Sequence, residues 1–111
     1  MPYCSKDHLR KMAKSEDWRV RQRMAQGLFT SKEDLAKFAE DEEWRVRQAV
    51  AANPSTPTDI LTKLSRDEVI DVRCLVAYNP KTHIDVVIKL AEDENWIVQL
   101  KAQEELERRR K

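Results

Sequence analysis

A chain of 111 residues with a single glycine cannot supply the many tight turns of a β-sandwich or barrel; 37% charged against 41% apolar residues suits amphipathic helices in one domain. A net charge of +1 excludes a whole-molecule attraction to nucleic acid, while leaving room for a local basic patch. Two lone cysteines, Cys4 and Cys74, exclude a disulfide scaffold; with no signal-peptide pattern and no apolar run near 18 residues, the expected setting is the cytoplasm, away from membranes.

One text recurs at a step of 26 residues. Leu9, Leu35, Leu61 and Val87 share a slot; so do Trp18, Trp44, Ile70 and Trp96, and again Val20, Val46, Val72 and Val98. Such register marks a repeat array. The repeats run about 4–29, 30–55, 56–81 and 82–111, making residues 1–111 a single helical-repeat domain with two helices per repeat.

The first helix of each repeat follows Cys4, Thr30, Thr56 or Thr82, with Asp7, Glu33, Asp59 or Asp85 three residues on. This spacing predicts a capping box, in which the threonine oxygen accepts an orphan backbone N–H. Pro57 is placed at the first helical position. Lys11, Lys37, Lys63 and Lys89 each stand four residues after an acid, the spacing of exposed helical ion pairs.

An acidic corner leads into the second helix. Asp41, Asp67 and Asp93 are predicted to cap it, with Glu16, Glu42, Glu68 and Glu94 in its first turn. Small residues Ala25, Ala51 and Ala77 would let neighbouring helices approach closely. Asn53-Pro54 and Asn79-Pro80 should end the second helix, because proline disfavours helical geometry in the residue before it. Gly27 takes that part in the first repeat. The fourth repeat runs on through QLKAQEELERRRK as a long polar helix, read as a terminal cap with a solvated, frayed end.

The stretches VRQAVAANPSTPTDILTKLSRD (Val46 to Asp67) and VRCLVAYNPKTHIDVVIKLAED (Val72 to Asp93) resemble the leucine-rich repeat variant family, whose pattern is V-R, V-A, N-P, T-P and then spaced leucines. They also resemble the wider HEAT-like repeats, which share an Asp six residues before that Arg. The resemblance implies an all-α fold, a right-handed alpha-alpha superhelix of four two-helix repeats. The iron–sulfur cysteine cluster of some variant-repeat proteins is not carried over, since Cys4 stands alone.

The shared Asp and Arg slots suggest a ladder. If each Arg reaches the Asp of the following repeat, the pairs are Arg21–Asp41, Arg47–Asp67 and Arg73–Asp93. Ser15 and Gln99 then occupy the two places where no partner exists.

Catalytic and metal sites are not expected. Cys4 and His8 stand at i, i+4, but two ligands are too few for structural zinc, and no phosphate loop or nucleophile–base pair appears, so no cofactor is assigned. The tryptophan slot reads as packing between helices, with base stacking as the alternative. In HEAT-like solenoids the second helices line the concave side, and there the non-repeating positions would read a partner. They give a basic, amide-rich half, Arg19, Gln22, Arg23, Arg45 and Gln48, and a more apolar half, Leu75, Tyr78, Ile97 and Leu100. Other non-repeating positions on these helices include Ala49, Asp71 and Cys74. The expected function is a non-catalytic scaffold that holds a protein or peptide. Nucleic-acid binding through Arg19, Arg23 and Arg45 is the alternative, and a homodimer is open.

Overall fold

The structure is a computed structural model, and it describes residues 11–110. Helical residues 11–13 are followed by α1 (Trp18–Ala25), α2 (Lys32–Phe38), α3 (Trp44–Ala52), α4 (Thr58–Leu64), α5 (Ile70–Tyr78), α6 (Ile84–Leu90) and α7 (Trp96–Arg110). The fold is all-α, with no strand among the described residues. Cys4 and His8 lie outside them.

Helices α1, α3, α5 and α7 lie side by side in chain order, while α2, α4 and α6 each pack against the helix before and the helix after. The result is a slab of 44 × 27 × 17 Å. Its interior is one continuous apolar cluster that contains Val46, Val72 and Val98, all fully buried, together with Leu35, Leu61 and Val87 from the other layer. Burying one such side chain contributes about 1.5–3 kcal/mol. An exposed acid–lysine pair contributes only about 0.2–0.5 kcal/mol. The core therefore sets the helix positions, and the lysine slot takes what partners remain. Lys63 accordingly lies 3.7 Å from Glu40, rather than pairing with Asp59.

The helix ends differ from the capping-box expectation. Ser31, Pro57 and His83 are the N-caps of α2, α4 and α6, one residue later than the threonines, so Pro57 precedes the first helical residue. The threonines serve the preceding helix instead. Thr30 Oγ1 donates to the Met24 carbonyl at 2.5 Å, Thr56 to Val50 at 2.6 Å and Thr82 to Val76 at 2.6 Å. A helix C-terminus carries orphan carbonyls, and this hydroxyl satisfies one of them. Gly27 is small for the same reason: a Cβ there would stand 2.7 Å from Thr30 Oγ1, and its φ is not positive. Asn53 and Asn79 leave their helices in extended geometry, as the following prolines require.

At the acidic corner, Asp41, Asp67 and Asp93 stand too early to be caps. Each accepts the backbone N–H two residues on, at 2.9 Å from Glu43, Val69 and Asn95. These are turns that aim the chain into the helix. Glu16, Glu42, Glu68 and Glu94 accordingly precede the first helical turn.

Candidate interaction face

Two sets of polar bonds hold the row of α1, α3, α5 and α7 in register. In the first, Arg21 donates to Asp41 at 2.7 and 3.1 Å, Arg47 to Asp67 at 2.7 and 3.2 Å, and Arg73 to Asp93 at 3.0 and 3.2 Å. These are bidentate pairs, the geometry that best matches guanidinium to carboxylate. Each Arg also reaches back six residues to a backbone carbonyl: Arg21 to Ser15 at 2.8 Å, Arg47 to Asp41 at 2.7 Å, Arg73 to Asp67 at 2.7 Å. Gln99 keeps this backward bond, to Asp93 at 2.5 Å. Ser15 keeps the turn bond, accepting from the Asp17 N–H at 3.1 Å. Serine and glutamine thus retain the local half of each slot and drop the half that needs a neighbour.

In the second set, the Asn53 amide donates to the carbonyls of Ala25 and Gly27, both at 2.8 Å. Asn79 repeats this on Ala51 and Asn53, at 2.9 and 3.1 Å. Glu105 holds the corresponding slot in α7 and is buried. There Arg109, 2.8 Å from Glu105, donates to the carbonyls of Thr82 and Asn79 at 2.8 and 3.1 Å. The chain is helical rather than frayed through Arg110; Arg109 is docked, while Arg108 and Arg110 point into solvent.

With these helices fixed, their first residues form a row along one edge. Trp18, Trp44, Ile70 and Trp96 open α1, α3, α5 and α7. The Arg45 guanidinium lies between two of them, 5.0 Å from the Trp18 ring and 4.7 Å from the Trp44 ring. Each such contact contributes about 0.5–1 kcal/mol at an exposed site. Arg45 also donates to Glu43 at 2.8 Å. The stack leaves the rest of the guanidinium in solvent, the side chain being 44% exposed. At the other end Trp96 is 69% exposed, with Ile97 and Leu100 exposed on the same helix and Ile70 exposed at the start of α5.

The predicted contact residues divide accordingly. Arg45 and Leu100 join this row. Arg19 is exposed but tied to Asp17, which accepts from both its side chain and its backbone. The Arg19 side-chain bond holds Asp17 below the usual carboxylate range. Arg23 is exposed, and Gln22 and Gln48 are half-buried. Leu75 is half-buried against the core, so it gives only part of its surface to solvent, and Ala49 is buried. Tyr78 donates to Glu104 at 3.1 Å, with Lys101 and Arg108 over its ring at 5.3 and 5.9 Å. Cys74 lies half-buried nearby, its thiol pushed up by burial and then by Asp71.

Reading the tryptophan slot as packing alone misses Trp96. Trp18 and Trp44 share the cover of Arg45, a residue of α3; Trp96 has no ring-stacked cation among the described residues. The departure that signals this is in the neighbouring slot, where Arg45 gives way to Asp71 and then Ile97.

Hollows elsewhere have mixed linings, and one of about 300 Å³ lies between Met12, Asp17, Arg19, Val20 and Arg23. One of about 420 Å³ is lined by Lys14, Glu16, Arg21 and Asp41, the last two already paired with each other. Another of about 570 Å³ lies between Lys14, Glu33 and Lys37.

Residues 44–69 match the family described as leucine rich repeat variant.

That match bears out the resemblance over α3, its proline turn, α4 and the acidic corner, the stretch that supplies Trp44, Arg45, Arg47, Asn53 and Asp67. No curated protein and no solved structure matches the chain. Among the described residues, no helix is long and apolar enough to cross a membrane.

Proposed function

We propose that the chain is a non-catalytic helical-repeat scaffold, a HEAT-like right-handed superhelix of four 26-residue repeats. It holds a protein or peptide against the face formed by α1, α3, α5 and α7. One observation carries this reading: Trp96, Ile97 and Leu100 stand exposed within the first five residues of α7, and Ile70 is exposed at the start of the helix packed beside it, α5. An exposed apolar cluster on a rigid frame is the ordinary mark of an interaction site. Loss of apolar exposure on docking would supply the affinity, and large aromatic side chains are the usual anchors.

The nucleic-acid alternative finds less support at the basic end. Arg19 has Asp17 beside it and Arg45 has Glu43, at 3.2 and 2.8 Å. Paired charges attract a polyanion weakly, because binding to phosphates scales with the cations available to displace counterions.

Selection of peptides from a random displayed library tests the reading. The expected binders lose affinity at least about tenfold with Trp96→Ala, Ile97→Ala or both, and keep it with Lys89→Ala, an exposed residue of α6. Binders indifferent to the first set and sensitive to the second would place the site on the other layer.

A further inference from the structure

We propose that the occupant of this face is an extended, polyproline-II-like segment of a partner protein, carrying an acidic, a basic and a large apolar residue at successive steps of three. The proposal rests on the reading of this face as a docking surface. Arg45, Asp71 and Ile97 share one slot in three successive helices. The place of Arg45, between Trp18 and Trp44, shows where that slot sits: over the seam between one helix start and the next. Asp71 and Ile97 are likewise the second residues of α5 and α7, at the same edge of the row. The row therefore presents a cation, an anion and an apolar group in order.

Charge complementarity assigns the partner's groups. Arg45 lies over the two indoles and uses one donor on Glu43; its other donors have no acceptor among the described residues. A single carboxylate arriving there shares the guanidinium with Glu43 and meets its remaining donors, a smaller demand than the many free cations a polyanion needs. Asp71 is exposed and has no ion-pair partner among the described residues, so a lysine or arginine completes it. Ile97, with Trp96 and Leu100, receives an apolar side chain.

Spacing assigns the conformation. Packed helices lie about 8–10 Å apart, so successive seams are separated by about that distance. A polyproline II segment has 3 residues per turn and a rise of about 3.1 Å, so every third side chain points the same way at intervals of about 9.3 Å. A β-strand would turn its third residue to the opposite side. The exposed Trp96 indole, in line with the half-covered Trp18 and Trp44, also suits a backbone without internal hydrogen bonds, which docks on aromatic grooves.

Four synthetic peptides test this by titration calorimetry: Glu-Pro-Pro-Lys-Pro-Pro-Phe, the same peptide in reverse order, a version with Glu and Lys exchanged, and an alanine-based helix bearing the three groups seven residues apart. One of the first two is expected to bind at least about tenfold more tightly than the exchanged peptide. Arg45→Glu with Asp71→Lys, checked for native circular dichroism, is expected to invert that preference. Equal binding of the matched and exchanged peptides, lost in Trp96→Ala, would overturn the charge assignment and leave the docking face standing. Tighter binding of the helical peptide would overturn the extended conformation. No binding of any peptide at millimolar concentration would remove the face and the proposal together.

Discussion

The Asn79 side-chain amide donates to the Ala51 carbonyl at 2.9 Å, across 28 residues of chain and out of solvent. It ties the end of α5 to the end of α3, and Asn53 ties α3 to α1 in the same way. Asn79→Ala leaves the buried Ala51 carbonyl without a donor, while the Asn53 carbonyl keeps the Thr56 N–H, and it is expected to cost about 1–3 kcal/mol in urea denaturation. Asn79→Asp is expected to cost more, since a carboxylate would face the same oxygens and donate nothing. An unchanged midpoint in both variants would mean that the clamp is idle.

The Arg47–Asp67 pair is a well-enclosed rung of the ladder, its side chains 13% and 7% exposed. Removing either partner strands the other charge, and Arg47→Ala is expected to destabilise by about 3 kcal/mol, the low end for a buried pair. The double variant should cost clearly less than the sum of the two single ones. Additive losses in that cycle would show that the two side chains do not act together.

Acid should loosen the frame at Asp41. Burial pushes this carboxyl up, but the Arg21 guanidinium and the Glu43 N–H together outweigh it and hold the group below the usual carboxylate range. Its folded value is therefore lower than its unfolded value of about 3.9. The stability it contributes is present above that unfolded value and is lost as pH falls through the folded one. Thermal unfolding of Asp41→Asn should show a shallower loss of stability below about pH 4 than the parent protein. Identical pH curves would assign the acid sensitivity to other groups.

Arg109 fastens the last helix. It meets buried Glu105 and the carbonyls of Thr82 and Asn79. Arg109→Ala is expected to speed amide hydrogen exchange over the last two turns of α7, leaving α3 unaffected. Adding Glu105→Gln should recover part of the loss, because without Arg109 the buried carboxylate is offset only by the exposed Arg108, 3.0 Å away. Unaltered exchange in Arg109→Ala would return this end to the frayed state that composition alone suggests.

The sequence makes some of these relationships legible and hides others for a definite reason. Arg21, Arg47 and Arg73 meet their aspartates as side chain to side chain, so two slots carry the signal, and Ser15 and Gln99 mark its limits. The threonine, asparagine and Arg109 bonds end on backbone carbonyls. A carbonyl belongs to every residue, so only the donor slot shows a pattern, and that pattern also fits a cap or a helix stop. Asn53 and Asn79 are thus visible as helix ends but not as clamps, and Thr30, Thr56 and Thr82 as polar turn residues whose direction is reversed. The exposure of Trp96 is hidden differently. Its slot is half-covered in Trp18 and Trp44, and the cover comes from Arg45, whose slot changes chemistry along the chain.

The indole N–H signals of Trp18, Trp44 and Trp96 offer the most direct view of the face. In proton–nitrogen spectra, titration with a peptide selected for binding is expected to shift the Trp96 and Trp44 indoles and the amides that open α5 and α7, while α2, α4 and α6 stay in place. Shifts gathered on α4 and α6, with all three indoles unmoved, would contradict the docking surface described for this chain.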